Sequence, residues 1–267
     1  MASRVPVSAD LSRCLESIAD QTLEGIGVVL LLDGIGARQH ASAVEIPVAI
    51  ADRTWILAAH CGTAARARNG ILDFIDDQLD QVAWVVRLDA DDTFAHLASV
   101  ETAVDLAERS GECNAVLGGN RVLSREGVHL RDNPAHPSLR DRAFLRTILG
   151  EMADGTAKNE LPSCNLMVRA RSGIRYPDMS SAEDHWLVAD MLFHRPSSVA
   201  VLTDPLFVDY RLDGAVTREA RGALKYRLSR RALQLAAETW AHVADLPGAV
   251  LGLGQEGIVR LHHGHVF

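Results

Sequence analysis

One stretch limits what this chain can fold into more than any other. It reads Val82-Ala83-Trp84-Val85-Val86-Arg87-Leu88-Asp89-Ala90-Asp91-Asp92, an apolar run that ends in three carboxylates. The run predicts a short buried strand, so the carboxylates fall where that strand leaves its sheet. In open α/β sheets this edge is where ligands bind. Asp89 and Asp91 are separated by one residue, and an extended backbone sets them on the same side. Two unit charges about 4 Å apart repel by ~1 kcal/mol in water and ~4 kcal/mol at an effective dielectric of about 20. Packed carboxylates are therefore a cost that a bound divalent cation reverses, because Mg²⁺ and Mn²⁺ favour oxygen ligands. The plainer alternative is an acidic turn facing solvent. Asp92 is expected to cap a helix that follows at Thr93-Phe94-Ala95.

The 267 residues suit one large α/β domain or two small ones, and a hydrophobic fraction of 48% supports a real core. A net charge of −8 argues against nonspecific nucleic-acid binding. Cys14, Cys61, Cys113 and Cys164 are widely spread with no C-x-x-C pair, which fits buried free thiols in a reducing compartment. The longest apolar run near the start, Ile26 to Leu32, is too short to span a bilayer. No secretory signal is evident, and a soluble, cytoplasmic protein is expected.

Arg4 to Val7 reads as an opening strand, and Asp10 as the start of a helix through Leu11, Cys14, Leu15 and Ile18. Ile26 to Leu32 predicts a buried parallel strand. It ends in Asp33-Gly34-Ile35-Gly36, where glycines permit a tight turn and close ligand approach. Val44 to Ile50 reads as a third strand. Gly62-Thr63 opens a helix through Ile75, with Arg66 and Arg68 in its first turns and Asp76 and Asp77 late. That charge order opposes the helix dipole. It is accounted for either by an anion such as a diphosphate facing the arginines or by a salt bridge to a neighbouring acid.

Further helices are expected over Ala95 to Arg109, Leu139 to Met152, from Ala182 through Leu192, and over Ala223 to Ala244. Strands are expected at Asn114 to Leu117, within Arg121 to Leu130, and at Ser163 to Val168, Val199 to Leu202 and Leu206 to Tyr210. Gly118-Gly119-Asn120 breaks the first of these. Glu183 and Asp184 in a first helical turn are ordinary helix-starting chemistry. His185 beside them suits either an acceptor contact or packing. Arg227, Arg230 and Arg231 form a basic helix face. It is open to an anionic acceptor, a membrane surface or a second subunit, as in a homodimer, although a solvated face is the simpler reading.

Taken in order, the pieces resemble a family 2 glycosyltransferase. They are Leu15 to Thr22, the strand ending Asp33-Gly34, Ala67-Arg68-Asn69-Gly70, Leu88-Asp89-Ala90-Asp91-Asp92, and Glu183-Asp184-His185-Trp186. The resemblance implies a GT-A fold: an α/β, Rossmann-like mixed and mostly parallel sheet flanked by helices, with a C-terminal helical extension. It implies a domain over residues 1–215, with a nucleotide-sugar-binding half (1–117) and an acceptor-side half (118–215). Residues 216–267 then form the helical extension and a histidine-containing tail.

By the same resemblance the activity is metal-dependent, inverting transfer from a nucleotide-sugar, usually UDP-linked, to an acceptor hydroxyl on a saccharide, natural product or lipid-linked sugar. Asp33 would contact uracil and Arg68 would lie near the nucleotide. Asp89 would face ribose or metal, and Asp91 would bind Mn²⁺ or Mg²⁺. Asp184 would be the general base, with Glu183 beside it. Tyr210-Arg211-Leu212-Asp213-Gly214 resembles the family's closing motif without its frequent His. His262, His263 or His265 is therefore a candidate metal ligand or lid, against the simpler reading of a frayed terminus. Two other functions remain open: a metal-dependent nucleotidyltransferase and a non-catalytic nucleotide-sugar-binding partner subunit.

Overall fold

The computed structural model describes residues 2–4, 9–157, 161–163, 165–212, 220–244, 249–253 and 259–263. The first sheet is parallel, in the order β1 (Ala2–Arg4), β2 (Val28–Asp33), β3 (Thr54–Ala59). Strand β2 is a continuous apolar run because both of its faces are covered. Val28, Leu30 and Leu32 share a cluster with Leu11, Cys14, Leu15 and Ile18 of α1 (Ala9–Ala19). Val29 and Leu31 meet Ala67, Ile71 and Ile75. These three belong to α3 (Ala64–Gln78), which follows the short α2 (Ala37–Ala41). The alternation of β2 thus sets helices on opposite faces.

The second sheet runs β10 (Val199–Leu202), β6 (Ala115–Gly118), β9 (Leu166–Arg169), β4 (Trp84–Val86). Only β10 and β6 are parallel; β9 is antiparallel to both neighbours. The third sheet runs β5 (Thr93–Phe94), β11 (Val208–Arg211), β7 (Asn120–Leu123), β8 (His129–Asn133). Here β11 and β7 are parallel, and the other pairings are antiparallel.

The chain passes from β6 to β7 through Gly119, as the Gly-Gly-Asn break requires. A Cβ at Gly118 would lie 2.5 Å from Phe207 Cβ, and one at Gly119 2.7 Å from Pro134 Cα. Helices α4 (Ser99–Arg109), α5 (Arg142–Asp154), α6 (Glu183–His194) and α7 (Ala220–Ala244) complete the layers. Leu233, Ala237 and Trp240 of α7 are buried in one cluster with Leu145 and Leu149 of α5 and Val188 and Leu192 of α6. The C-terminal helix is therefore part of the core. A hairpin follows, β12 (Ala249–Leu253) against β13 (Val259–His263). Among the described residues no helix is long and apolar enough to cross a membrane.

Two expectations need correction. Val44 to Ile50 is not a strand. Pro47 lacks an amide hydrogen to give to a ladder and instead precedes a 3₁₀ turn at Val48–Arg53. Val48 there is 93% exposed while Ile50 is buried, whereas residues two apart in a strand share a face. The strand is the next segment, β3. Nor does a helix begin at Ala95: Thr93–Phe94 pair with β11, and α4 starts at Ser99.

Candidate active site

The site forms at the rim where β2, β3 and β4 end. Asp33 closes β2, and its Oδ1 accepts the Cys61 amide hydrogen at 2.7 Å, joining the ends of β2 and β3. The next helix, α3, is capped by Thr63, whose hydroxyl accepts from the Arg66 amide. Arg66 is exposed and pairs with Asp178 at 2.7 Å, so the salt-bridge reading holds for it. Arg68 turns inward instead.

Beyond β4, five charged side chains from three segments converge. Arg87 clamps Asp89 with two bonds, Nε to Oδ1 at 3.3 Å and NH2 to Oδ2 at 2.8 Å. Its NH1 donates to Asp184 Oδ2 at 3.2 Å and to the Ser163 carbonyl at 3.1 Å. Arg68 donates to Asp89 at 3.3 Å and also pairs with Glu183. Both guanidiniums lie against the buried Tyr176 ring, 5.5 and 5.8 Å from its centroid. Glu183 and Asp184 start α6 after Ala182, which has a left-handed φ of 58°. Side-chain exposure is 9% for Arg87 and Glu183, 14% for Arg68, 18% for Asp184 and 26% for Asp89. Water screens these pairs weakly.

The electrostatics sort the acids into two kinds. For Asp89, burial favours the neutral form, but the charges of Arg87 and Arg68 overcome it and hold the carboxyl well below the usual range. Asp184 behaves alike: burial is outweighed by His185, Arg87 and Arg68. Asp184 Oδ1 also accepts the His185 amide hydrogen at 2.8 Å, so both of its oxygens are held. Asp91 goes the other way. Burial and then the neighbouring Asp89 push its carboxyl up, and no salt bridge forms to it among the described residues.

Asp92 is not a helix cap. It is buried, and its Oδ1 accepts the Arg211 amide hydrogen at 3.0 Å, tying the acidic loop to β11. Burial, then Asp91 and Asp89, raise its carboxyl well above the ordinary value.

Arg68, Asp89, Glu183 and Asp184 are thus brought into one cluster. Asp33 stands at a neighbouring strand end, outside that network of pairs. His185 is buried and its ring packs 5.5 Å from Tyr226, which answers the choice between acceptor contact and packing in favour of packing. His265 lies outside the described residues, and His262 and His263 pair through their backbones with β12. Among the described residues no three His, Cys, Asp or Glu side chains converge to hold a metal by themselves. Asp91 is half-buried and flanked by acids, and among the described residues it makes no ion pair.

Reading the sequence missed Arg87 and Tyr176. Arg87 had a signal: a lone cation in an apolar strand, with one residue between it and Asp89, faces the same side.

Among solved structures the chain is similar to S. aureus TarS, with a TM-score of 0.51 at 15% identity over 79% of this chain and 36% of that one. The TarS 1–349 complex with UDP gives a TM-score of 0.55 at 14% identity, covering 88% of this chain and 64% of that one. The complex with UDP-GlcNAc gives 0.55 at 14%, covering 91% and 72%. The fold is GT-A. The chain spans about a third of the first of these proteins. No protein-family profile matches it, and no curated protein matches it.

Proposed function

We propose that this chain is a glycosyltransferase that moves a sugar from a nucleotide-sugar, UDP-linked, to an acceptor hydroxyl with inversion. The observation that carries this is the convergence of Arg68, Asp89, Glu183 and Asp184 at the rim of a GT-A sheet. The pairs join the donor half (1–117), which supplies Arg68, Arg87 and Asp89, to the acceptor half (118–215), which supplies Glu183 and Asp184. The similar TarS 1–349 has been solved with UDP and with UDP-GlcNAc, which supports UDP as the nucleotide.

Charge supports a metal. Carboxylates outnumber guanidiniums at this rim by two once Asp91 joins Asp89, Glu183 and Asp184 against Arg68 and Arg87. A diphosphate approaching such a site is repelled unless a cation comes with it. Mn²⁺ or Mg²⁺ at Asp91 would neutralise the departing diphosphate. Asp89 has both oxygens committed to arginines, which suits it to fixing the donor's position rather than to ligating the metal.

Asp184 is ionised at neutral pH and so is in the form a general base needs. Its carboxylate takes the acceptor hydroxyl proton as that oxygen bonds to the anomeric carbon. The bond from that carbon to the diphosphate oxygen breaks, and its electron pair leaves with the diphosphate. One displacement inverts the centre. Holding both substrates in line supplies much of the acceleration.

The test incubates the protein with Mn²⁺ and a panel of nucleotide-sugars and nucleoside triphosphates, reading thermal shift and UDP release. UDP and a UDP-sugar should stabilise the protein only with the metal. Asp91→Ala should lose that stabilisation, and Asp184→Asn should keep it while losing most of its turnover. Stabilisation by triphosphates alone would overturn the proposal.

A further inference from the structure

We infer that Arg87 is a positioning residue that acts through Asp184, fixing the base and the donor carboxylate Asp89 in one geometry. The inference rests on the transferase reading above. Arg87 is braced on every side. Its amide donates to the Leu166 carbonyl at 2.9 Å. Its NH1 donates to the Ser163 carbonyl at 3.1 Å. The Tyr176 ring lies 5.8 Å from its guanidinium carbon. From that fixed base its two edges face different partners: Nε and NH2 take Asp89, and NH1 takes Asp184.

Asp184 needs such a hold. It sits in the first turn of α6, entered through the left-handed Ala182. Among the described residues its Oδ1 is held by the adjacent His185 amide, a bond within its own turn that cannot fix the helix against the strand rim. The Arg87 bond to Oδ2 crosses 97 residues of sequence and supplies that link.

A stability role explains the arrangement less well. Buried ion pairs are often no better for stability than packed apolar side chains, whereas a base misplaced by about 1 Å can lose roughly 10²-fold in rate. Lysine cannot substitute, since an ammonium is a point charge without the planar fork that reaches two carboxylates at once.

The experiment is a double-mutant cycle on UDP release from a UDP-sugar with Mn²⁺, at saturating donor. It compares wild type, Arg87→Lys, Arg87→Gln, Asp184→Asn and the double variants. Thermal shift with UDP reports donor binding, and the melting temperature reports the fold. Arg87→Lys should still bind UDP but turn over about 10²-fold more slowly. The same change made on Asp184→Asn should lower the residual rate by less than about threefold, because the partner it acts through is gone. Equal losses in both backgrounds, or unchanged turnover in Arg87→Lys, would overturn the inference and leave the transferase reading standing. A wild type that releases UDP from no donor refutes the transferase reading and this inference with it. Should Arg87→Gln alone fail to fold, the Lys cycle still decides.

Discussion

Helix α6 carries a cost that a single atom change should remove. Asp190 lies on its inner side with 18% of the side chain exposed, and burial raises its carboxyl to about 6, offset in part by Arg195. His194 does not rescue it. The imidazole Nε2 is 3.6 Å from Asp190 Oδ1, beyond hydrogen-bond reach. Burial, then Arg142 and Arg195, lower the His194 pKa, so the ring is neutral at pH 7. The folded chain therefore binds a proton at Asp190 that the unfolded chain releases near the ordinary 3.8.

A raised folded pKa contributes stability that is complete below the unfolded value and is lost as the pH climbs through about 6. A difference of about two pH units is worth about 3 kcal/mol at 1.36 kcal/mol each. Water reaching the partly exposed carboxyl reduces that to about 1–2 kcal/mol.

Asp190→Asn keeps the shape and removes the ionisation. Urea titrations from pH 5 to 8 should show the variant more stable by about 1–2 kcal/mol at pH 7.5, with the gap closing towards pH 5. The melting temperature at pH 7.5 should rise by about 2–6 °C. A gap of the same size at every pH would mean that Asn gains by packing. A variant less stable at pH 7.5 would mean that Asp190 is a favourable charge, and the reasoning would fail.

Three further outcomes follow from the same geometry. Gly118→Ala should destabilise by about 1–3 kcal/mol in urea unfolding, because the new Cβ meets Phe207 at 2.5 Å; an unchanged midpoint would show that Phe207 moves aside freely. Arg68→Met should cost about 3–5 kcal/mol, since it leaves Glu183 and Asp89 buried with one guanidinium fewer; a neutral result would show that water already screens the pair. Acid should unfold the chain in a defined window: Asp89 and Asp184 are held below their ordinary 3.8, so their contribution is complete above that value and is lost as the pH falls below it. Asp89→Asn should shallow that acid limb, read as melting temperature against pH.

Elements that bury an unbroken apolar run were legible in the sequence. Val28 to Leu32 is the expected strand covered on both faces, and Trp84 to Val86 followed by acids is a strand reaching a rim, half-buried rather than buried as its apolar run predicts. Failure came where period and chemistry disagree. Val44, Ile46, Val48 and Ile50 alternate like a strand, yet Pro47 sits among them and decides the outcome. Thr54–Ala59, the strand that pairs with β2, follows the 3₁₀ turn directly. In the site, Asp89 and Asp184 were legible as acids in suggestive places. Their shared arginine was not, because nothing local links Arg87 to a residue 97 positions away. Asp92 was misread for the same reason: its partner, the Arg211 amide, is 119 residues distant.

The placement of charge along α6 separates what the helix does for stability from what it does for the site. Val188, Leu192 and Phe193 are fully buried and anchor the helix to Trp240 and Leu149. That apolar contact is enough to hold it. The charges at its two ends add no comparable gain: Glu183 and Asp184 are buried against arginines, and Asp190 is buried against a neutral imidazole. The costs differ in kind. At the first turn each acid has a guanidinium and stays ionised, so the desolvation is compensated in one geometry only, the one that aims Asp184 at the rim. Two turns later the acid makes no guanidinium bond, and Arg195 offsets its cost only in part. Relief at Asp190 should therefore stabilise the chain without touching turnover, whereas neutralising Asp184 should cost stability and nearly all turnover. A variant set in which both sites traded stability for rate alike would contradict this division.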